Sequence, residues 1–291
     1  MQLPNRLTIT PQRIYHIYQF YHIYTIPIIQ SPMPDKLNIA FYQQDIAWEQ
    51  PAANHAMVEE AFAHLGTKAD VLVVPETFST GFSDNMAAMA EPPEGETYRF
   101  ACSMAQRHNA LFVGTWTVKT GDGPKSVVNR LHWVMPDGSH GFYDKAHTFR
   151  MSTEADQLAR GTRREVFEWR GWRIKPAVCY DLRFPKWLRN ANPLDYDLLL
   201  LCANWPASRH EAWSTLLRAR AIENLCYVVG VNRVGTDGVG IPYAGYSAAV
   251  DYKGHDIAVC TPGQAMVQTV TLYRDALETF RQHWPFFLDF D

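Results

Sequence analysis

DVLVVPE, residues 70–76, sets four apolar side chains in an unbroken row, Val71 to Val74, and closes them with a proline and a carboxylate. Alternation would mark a strand with one wet face. A continuous row that is β-branched except at Leu72 instead predicts a strand covered on both faces, as in the middle of a layered α/β structure. Upstream, LNIAFYQQ from Leu37 reads as a strand, and NHAMVEEAFAHLG reads as an amphipathic helix closed by Gly66. Downstream, TYRFACSMAQRHN is helical, and ALFVGTWTV and SVVNRLHWVMPDG are strands, the second ending in an Asp-Gly turn. After an irregular stretch, Tyr143 to Thr162, the segment REVFEWRGWRIKPAVCY predicts a hairpin turning at Arg170-Gly171. YDLLLLCAN is a second buried strand. SRHEAWSTLLRARAIEN is a helix with Ser208 as expected N-cap and Glu211 three residues on. Four strands follow it in quick succession: CYVVGVNRVG, YSAAVDYKG, IAVC and MVQTVTL. The pattern favours a single α/β layered domain with a mixed sheet or two packed sheets.

Composition narrows the function. The chain has 291 residues, 47% of them hydrophobic, enough for one large core. With 27 basic and 30 acidic residues its net charge is −3, which supplies no basic field for a phosphate backbone, so nucleic acid is not an expected partner. Five cysteines, scattered and without a CxxC pair, suggest neither a disulfide framework nor a zinc knuckle and fit a reducing cytoplasm. The opening RIYHIYQFYHIYTIPII is interrupted by two His and a Gln and lacks a small-residue cleavage site, so neither a membrane span nor a signal peptide is expected there. Residues 1–32 are read as an extension, with the domain proper, 33–291, beginning at Met33.

Three residues stand out for chemistry. Cys179 ends an apolar strand just ahead of Pro185, where a helix start would bring backbone N–H groups toward its sulfur and favour a thiolate; buried free cysteines are equally ordinary core residues. Glu76 sits at the mouth of the buried element, where partial desolvation suits a carboxylate to accepting protons. Lys145, in GFYDKAHTF, ends a strand amid aromatics. Each alone is as well explained by a structural or solvated role.

Together, VVPETF, YDKAHTF and AVCYDLRFP, with 69 residues from Glu76 to Lys145 and 34 more to Cys179, resemble the nitrilase superfamily of carbon–nitrogen hydrolases. NWP at Asn204 to Pro206 and RARAIEN in the next helix extend the resemblance. CYDLRFPKWLRN, NWPASRHEAW and VGVNRVGTDG look like its omega-amidase branch, whose members remove ammonia from 2-oxoglutaramate or 2-oxosuccinamate. The resemblance implies a four-layer α-β-β-α sandwich, a Glu76-Lys145-Cys179 triad, Glu154 as a second glutamate, and the backbone N–H of Tyr180 as oxyanion donor. It also implies a homodimer, no cofactor and no metal. For a carboxylate-bearing amide substrate, Arg183 and Arg209 are candidate grips and Phe82 and Trp205 candidate walls. Arg183 equally fits a brace of its turn, and Arg209 an exposed first-turn position.

Two rival classes remain. A metal-dependent phosphodiesterase on a similar sandwich needs convergent Asp, Asn and His ligands. Asp45, Glu76, Asn204 and His255 are the nearest here, without a paired Asp-His near the C-terminus. A non-catalytic partner subunit would have no use for three specific side chains. GTDGVGIPYAG lacks the spacing of a dinucleotide loop.

Overall fold

The computed structural model describes residues 35–123, 125–191 and 193–290; the extension read at 1–32 and the start expected at Met33 lie outside them. In chain order the elements are β1 (Lys36–Gln43), α1 (Pro51–Ala63), β2 (Val71–Val73), α2 (Glu96–His108), β3 (Leu111–Lys119), β4 (Val127–Val134) and β5 (His140–Asp144). Then come α3 (Glu154–Gln157), β6 (Phe167–Trp169), β7 (Trp172–Val178), α4 (Pro185–Leu188), β8 (Leu198–Ala203) and α5 (His210–Asn224). The chain continues through β9 (Tyr227–Asn232), β10 (Val234–Thr236), β11 (Pro242–Ala244), β12 (Ala248–Val250), β13 (Asp256–Val259), β14 (Met266–Tyr273) and α6 (Arg274–His283).

Two six-stranded mixed sheets result, ordered β14-β1-β2-β3-β4-β5 and β13-β12-β9-β8-β7-β6. Each has a parallel centre, β1-β2-β3 in one and β7-β8-β9 in the other, with antiparallel strands outside. Burial explains the layering. In β2, Val71 and Val73 point into the core between the sheets, where they join Ile39, Phe41, Val113, Ile174, Val178, Leu200 and Val229. Leu72 and the following Val74 point outward and pack with Val58 and Phe62 of α1 and Ala101 and Met104 of α2. On the far sheet Ala177, Leu199, Leu201 and Val228 pack outward with Trp213, Leu217 and Ala221 of α5. Every side chain of the VLVV row is thus enclosed, each contributing about 1.5–3 kcal/mol of burial, and the layers are helix, sheet, sheet, helix. This is the expected four-layer α/β sandwich.

The hairpin turn also stands as read. Trp169 pairs with Trp172, and Arg170 and Gly171 between them both have positive φ, 48° and 75°, the geometry of a two-residue turn that matches strand twist.

Two local expectations are corrected, and one element was not foreseen. Gly66 does not close α1, which ends at Ala63. Ser208 is not the cap of α5: Pro206 leads into a short 3₁₀ turn, Ala207–Arg209, so the helix begins at His210 without a side-chain cap. The C-terminal α6 has no counterpart in the sequence reading. It follows β14 without a loop, and its Arg281 donates to Asp197 Oδ1 at 2.6 Å.

Candidate active site

The site forms where the central strands of both sheets end. Two residues after Val74, Glu76 leaves the end of β2 and is fully buried. Its Oε1 accepts from Lys145 Nζ at 2.8 Å and from Asn129 Nδ2 at 2.8 Å, and its Oε2 from the Asn204 N–H at 2.8 Å. Lys145 follows β5 directly. Its ammonium also donates to Glu154 Oε1 and Oε2, both at 2.9 Å. Glu154, the first residue of α3, is equally buried, and its Oε2 accepts from the Phe149 N–H at 2.6 Å. One lysine therefore bridges two carboxylates in a dry interior, with Asn129 touching both.

Such a cluster holds together only because its charges compensate. Burial alone would push the Lys145 ammonium down, but Glu154, Glu76 and Cys179 outweigh it and hold its proton more tightly than usual. Burial raises the Glu154 carboxyl, against the pull of Lys145.

Cys179 begins a five-residue 3₁₀ turn, Cys179–Arg183, at the end of β7. Its φ of 42° is left-handed, a conformation that costs a non-glycine residue about 1–3 kcal/mol and aims the side chain off the strand end. The residue is half-buried, reaching the cavity while dense protein surrounds the sulfur. The thiol donates to the Asn204 carbonyl at 3.7 Å. Burial pushes it well above the usual thiol value, Glu76 adds to this, and Lys145 opposes. Burial and Glu76 thus work against the thiolate that a helix start would favour. The turn is too short to supply a strong dipole, and Glu76 stands beside the sulfur as an acceptor for its proton. Tyr180 is the second residue of the turn, where a helix start leaves N–H groups without intrahelical partners.

Above this floor opens a cavity of about 720 Å³. Lys145, Cys179, Tyr180 and Asn204 reach it, as do all four residues expected to bind substrate, Phe82, Arg183, Trp205 and Arg209. Glu76 and Glu154 stand behind it. Lys145 Nζ lies 5.4 Å from the Phe82 ring centroid. The guanidinium of Arg183 sits over Trp205 at 4.8 Å and that of Arg209 over Phe149 at 5.4 Å, so each is held by an aromatic face rather than by a carboxylate. Trp205 is itself fixed, its indole donating to the Arg209 carbonyl at 2.8 Å and its N–H to Asn232 Oδ1 at 2.7 Å.

Several wall and support residues escaped the sequence reading. Asn129 had a visible signal, a polar residue in the middle of the buried strand VVNRLHWV. Asp237, in the connection between β10 and β11, and Tyr243, in β11, come from the glycine-bearing segment and form a wall, the Tyr243 hydroxyl donating to Asp237 Oδ2 at 3.0 Å. Phe149 and Arg150 had no local signal. Of the residues weighed as metal ligands, Glu76 and Asn204 meet, but as hydrogen-bond partners, and no group of three or more His, Cys, Asp or Glu side chains among the described residues is placed to hold a metal ion. Between the two buried carboxylates the ammonium of Lys145 occupies the place a cation would need.

Comparison with known proteins identifies the family. The carbon-nitrogen hydrolase family model matches residues 38–282, and the chain belongs to that family. It is a hydrolase of carbon–nitrogen bonds other than peptide bonds. Among its relatives are the omega-amidase YafV of Yersinia enterocolitica, 44% identical over 88% of this chain and 97% of that one, and the 2-oxoglutaramate amidase of Bacillus subtilis, 30% identical over 87% and 97%. A CN-hydrolase superfamily protein of Xanthomonas campestris, solved with an arsenic adduct in its active site, superposes with a TM-score of 0.83 at 42% identity, covering 88% of this chain and 97% of that one. Among the described residues no helix is long and apolar enough to cross a membrane.

Proposed function

We propose that this hydrolase is an omega-amidase, cleaving the terminal amide of a small 2-oxo dicarboxylic acid monoamide, 2-oxoglutaramate or 2-oxosuccinamate, through a thioester on Cys179. One observation carries the reading: a cysteine opens onto a cavity directly in front of a buried Glu-Lys-Glu cluster, and two guanidinium groups face the same cavity. Glu76 takes the thiol proton as the sulfur attacks the amide carbon. The negative charge that develops on the amide oxygen receives hydrogen bonds from Lys145 Nζ and the Tyr180 N–H; losing one such donor typically costs about 10²–10³ in rate. Glu76 returns the proton to the nitrogen, and ammonia leaves. Water, deprotonated by Glu76, attacks the thioester carbon, and the acid departs as the thiol regains its proton. Glu154 holds the Lys145 ammonium through both steps. The substrate's distant carboxylate pairs with Arg183 or Arg209, a recognition suited to planar guanidinium groups.

The names of the relatives support this substrate class. Ammonia release from 2-oxoglutaramate tests it. Purified protein is expected to turn over this amide, and Cys179→Ala to lose about 10⁴-fold or more while melting normally. Unchanged turnover in that variant would sink the mechanism. Activity confined to nitriles or N-carbamoyl compounds would sink the substrate assignment.

A further inference from the structure

The general base and the nucleophile come from different sheets, and so do the oxyanion-directed lysine and the nucleophile. Something must set the register of Lys145 against Cys179 to within a fraction of an ångström, because a misplacement of about 1 Å costs on the order of 10²-fold in rate. The ion cluster reaches the nucleophile's sheet only at Asn204, after β8, whose N–H bonds Glu76 and whose carbonyl accepts from the Cys179 thiol; its bonds to Lys145 end at Glu76 and Glu154, and none holds the backbone of the Cys179 turn.

The connection runs through Asp181. This carboxylate is fully buried, two residues past the cysteine. Its Oδ2 accepts from the N–H of Val178, the residue before Cys179, at 3.0 Å, and from the Tyr143 hydroxyl at 2.8 Å. Its Oδ1 accepts twice from His147, two residues past Lys145: from the backbone N–H at 3.0 Å and from ring Nδ1 at 2.7 Å. A carboxylate acceptor requires the proton on Nδ1. Burial and the neighbouring Asp181 raise the Tyr143 phenol, which keeps its proton and remains a donor. The imidazole stacks on Phe184, centroids 3.8 Å apart and planes 9° apart, so its ring is fixed in plane as well as in distance.

We infer that His147 and Asp181 form a positioning pair that locks the loop after Lys145 onto the turn that carries Cys179. His147 touches no reacting atom; it acts through Asp181. The inference deepens the amidase reading and rests on it for the reaction, but its geometry is testable without any substrate.

Two substitutions separate the hydrogen bond from the stack. His147→Phe keeps an aromatic ring against Phe184 and removes the donor. His147→Asn loses the stack and offers an N–H at the δ position. Three readouts are taken on each: melting temperature, kcat and KM for ammonia release from 2-oxoglutaramate, and the rate of Cys179 alkylation by iodoacetamide followed by peptide mass spectrometry. A positioning role gives a phenylalanine variant that melts near the wild type but loses about 10²-fold in kcat with KM little changed. Its alkylation slows in parallel, and the asparagine variant recovers most of both rates. The inference is overturned if the phenylalanine variant keeps wild-type kcat and alkylation, or if the asparagine variant falls as far as the phenylalanine one. A wild type that releases no ammonia from 2-oxoglutaramate would refute the amidase reading, while the alkylation rates would still decide the role of His147.

Discussion

The floor and the rim of the cavity are built on opposite principles. On the floor Glu76, Lys145 and Glu154 are buried and bound to one another by three short ammonium–carboxylate contacts, and each carboxylate has a further backbone N–H partner. On the rim Arg183 and Arg209 are exposed, rest on aromatic faces and make no carboxylate pair among the described residues. The difference teaches where each function can be placed. Chemistry that needs fixed charges is sited where a shift in one group strands another, whereas recognition is left to cations whose partner has yet to arrive.

Breaking the floor should therefore damage stability and turnover together. Lys145→Met leaves two buried carboxylates without their cation, and it is expected to cost about 3–5 kcal/mol in urea unfolding and at least the 10²–10³ in rate of a lost oxyanion donor. A variant that unfolds like the wild type would show the cluster is not compensating charge as described. On the rim the two effects should separate. Arg183→Met is expected to change unfolding by no more than about 0.5 kcal/mol and to lower kcat/KM for 2-oxoglutaramate by roughly 10–100-fold, the worth of a charge-assisted hydrogen-bonded contact. A neutral amide such as butanamide should be turned over as by the wild type. Equal losses on both substrates would move Arg183 from recognition to bracing of its turn.

pH offers a sharper view of the floor. Because burial and Glu76 raise the Cys179 thiol, its alkylation by iodoacetamide should keep accelerating past pH 9; a plateau near neutrality would reveal a preformed thiolate instead. The same shift sets a stability limit. In the unfolded chain thiols ionise near 9, while the folded Cys179 and Cys202 keep their protons, so their contribution is complete below that pH and is lost as pH rises toward the folded values. Lys145, also raised in the fold, loses its contribution in the same direction at higher pH still. Melting temperature should thus hold through neutrality and decline from about pH 9 upward. The smallest effect belongs to the left-handed backbone at the nucleophile: Cys179→Gly should be at least as stable as Cys179→Ala, by up to about 1 kcal/mol in the same unfolding assay, because glycine carries no strain at φ 42°.

The floor was the more legible half in the sequence, for a physical reason. Glu76, Lys145 and Cys179 each follow a strand, so a local apolar pattern announces where the chain will deliver them, and their order and spacing completed the resemblance. Even Asn129 carried a signal, as an amide inside an apolar strand. The rim is assembled from loops that meet only after folding. Phe149 and Arg150 lie in an irregular stretch with no periodicity, and Asp237 and Tyr243 belong to the short β10-β11 hairpin, in a segment whose glycines say only that it turns. The same limit explains Ser208: its spacing to Glu211 satisfied a local rule, but the turn set by Pro206 moved the helix start past it. It also explains the upward shift of the Cys179 thiol, since neither the burial around the sulfur nor the shortness of its turn is a property of the surrounding dozen residues.

The pairing of β1 with β14 has a consequence for biosynthesis. Thr271 of β14 donates to Asn38 of β1 across 233 residues, and the whole of β1 is in register with it. At roughly 5–20 residues per second on the ribosome, one edge of β1 stays open for some tens of seconds after it emerges. The sheet that delivers Glu76 and Lys145 is completed only once β14 has been made. A nascent chain interrupted before Met266 would expose the Ile39 and Phe41 strand as an unpaired edge, a substrate for chaperones or for aggregation. The catalytic floor thus waits for β14, although Glu76 and Lys145 are made long before it.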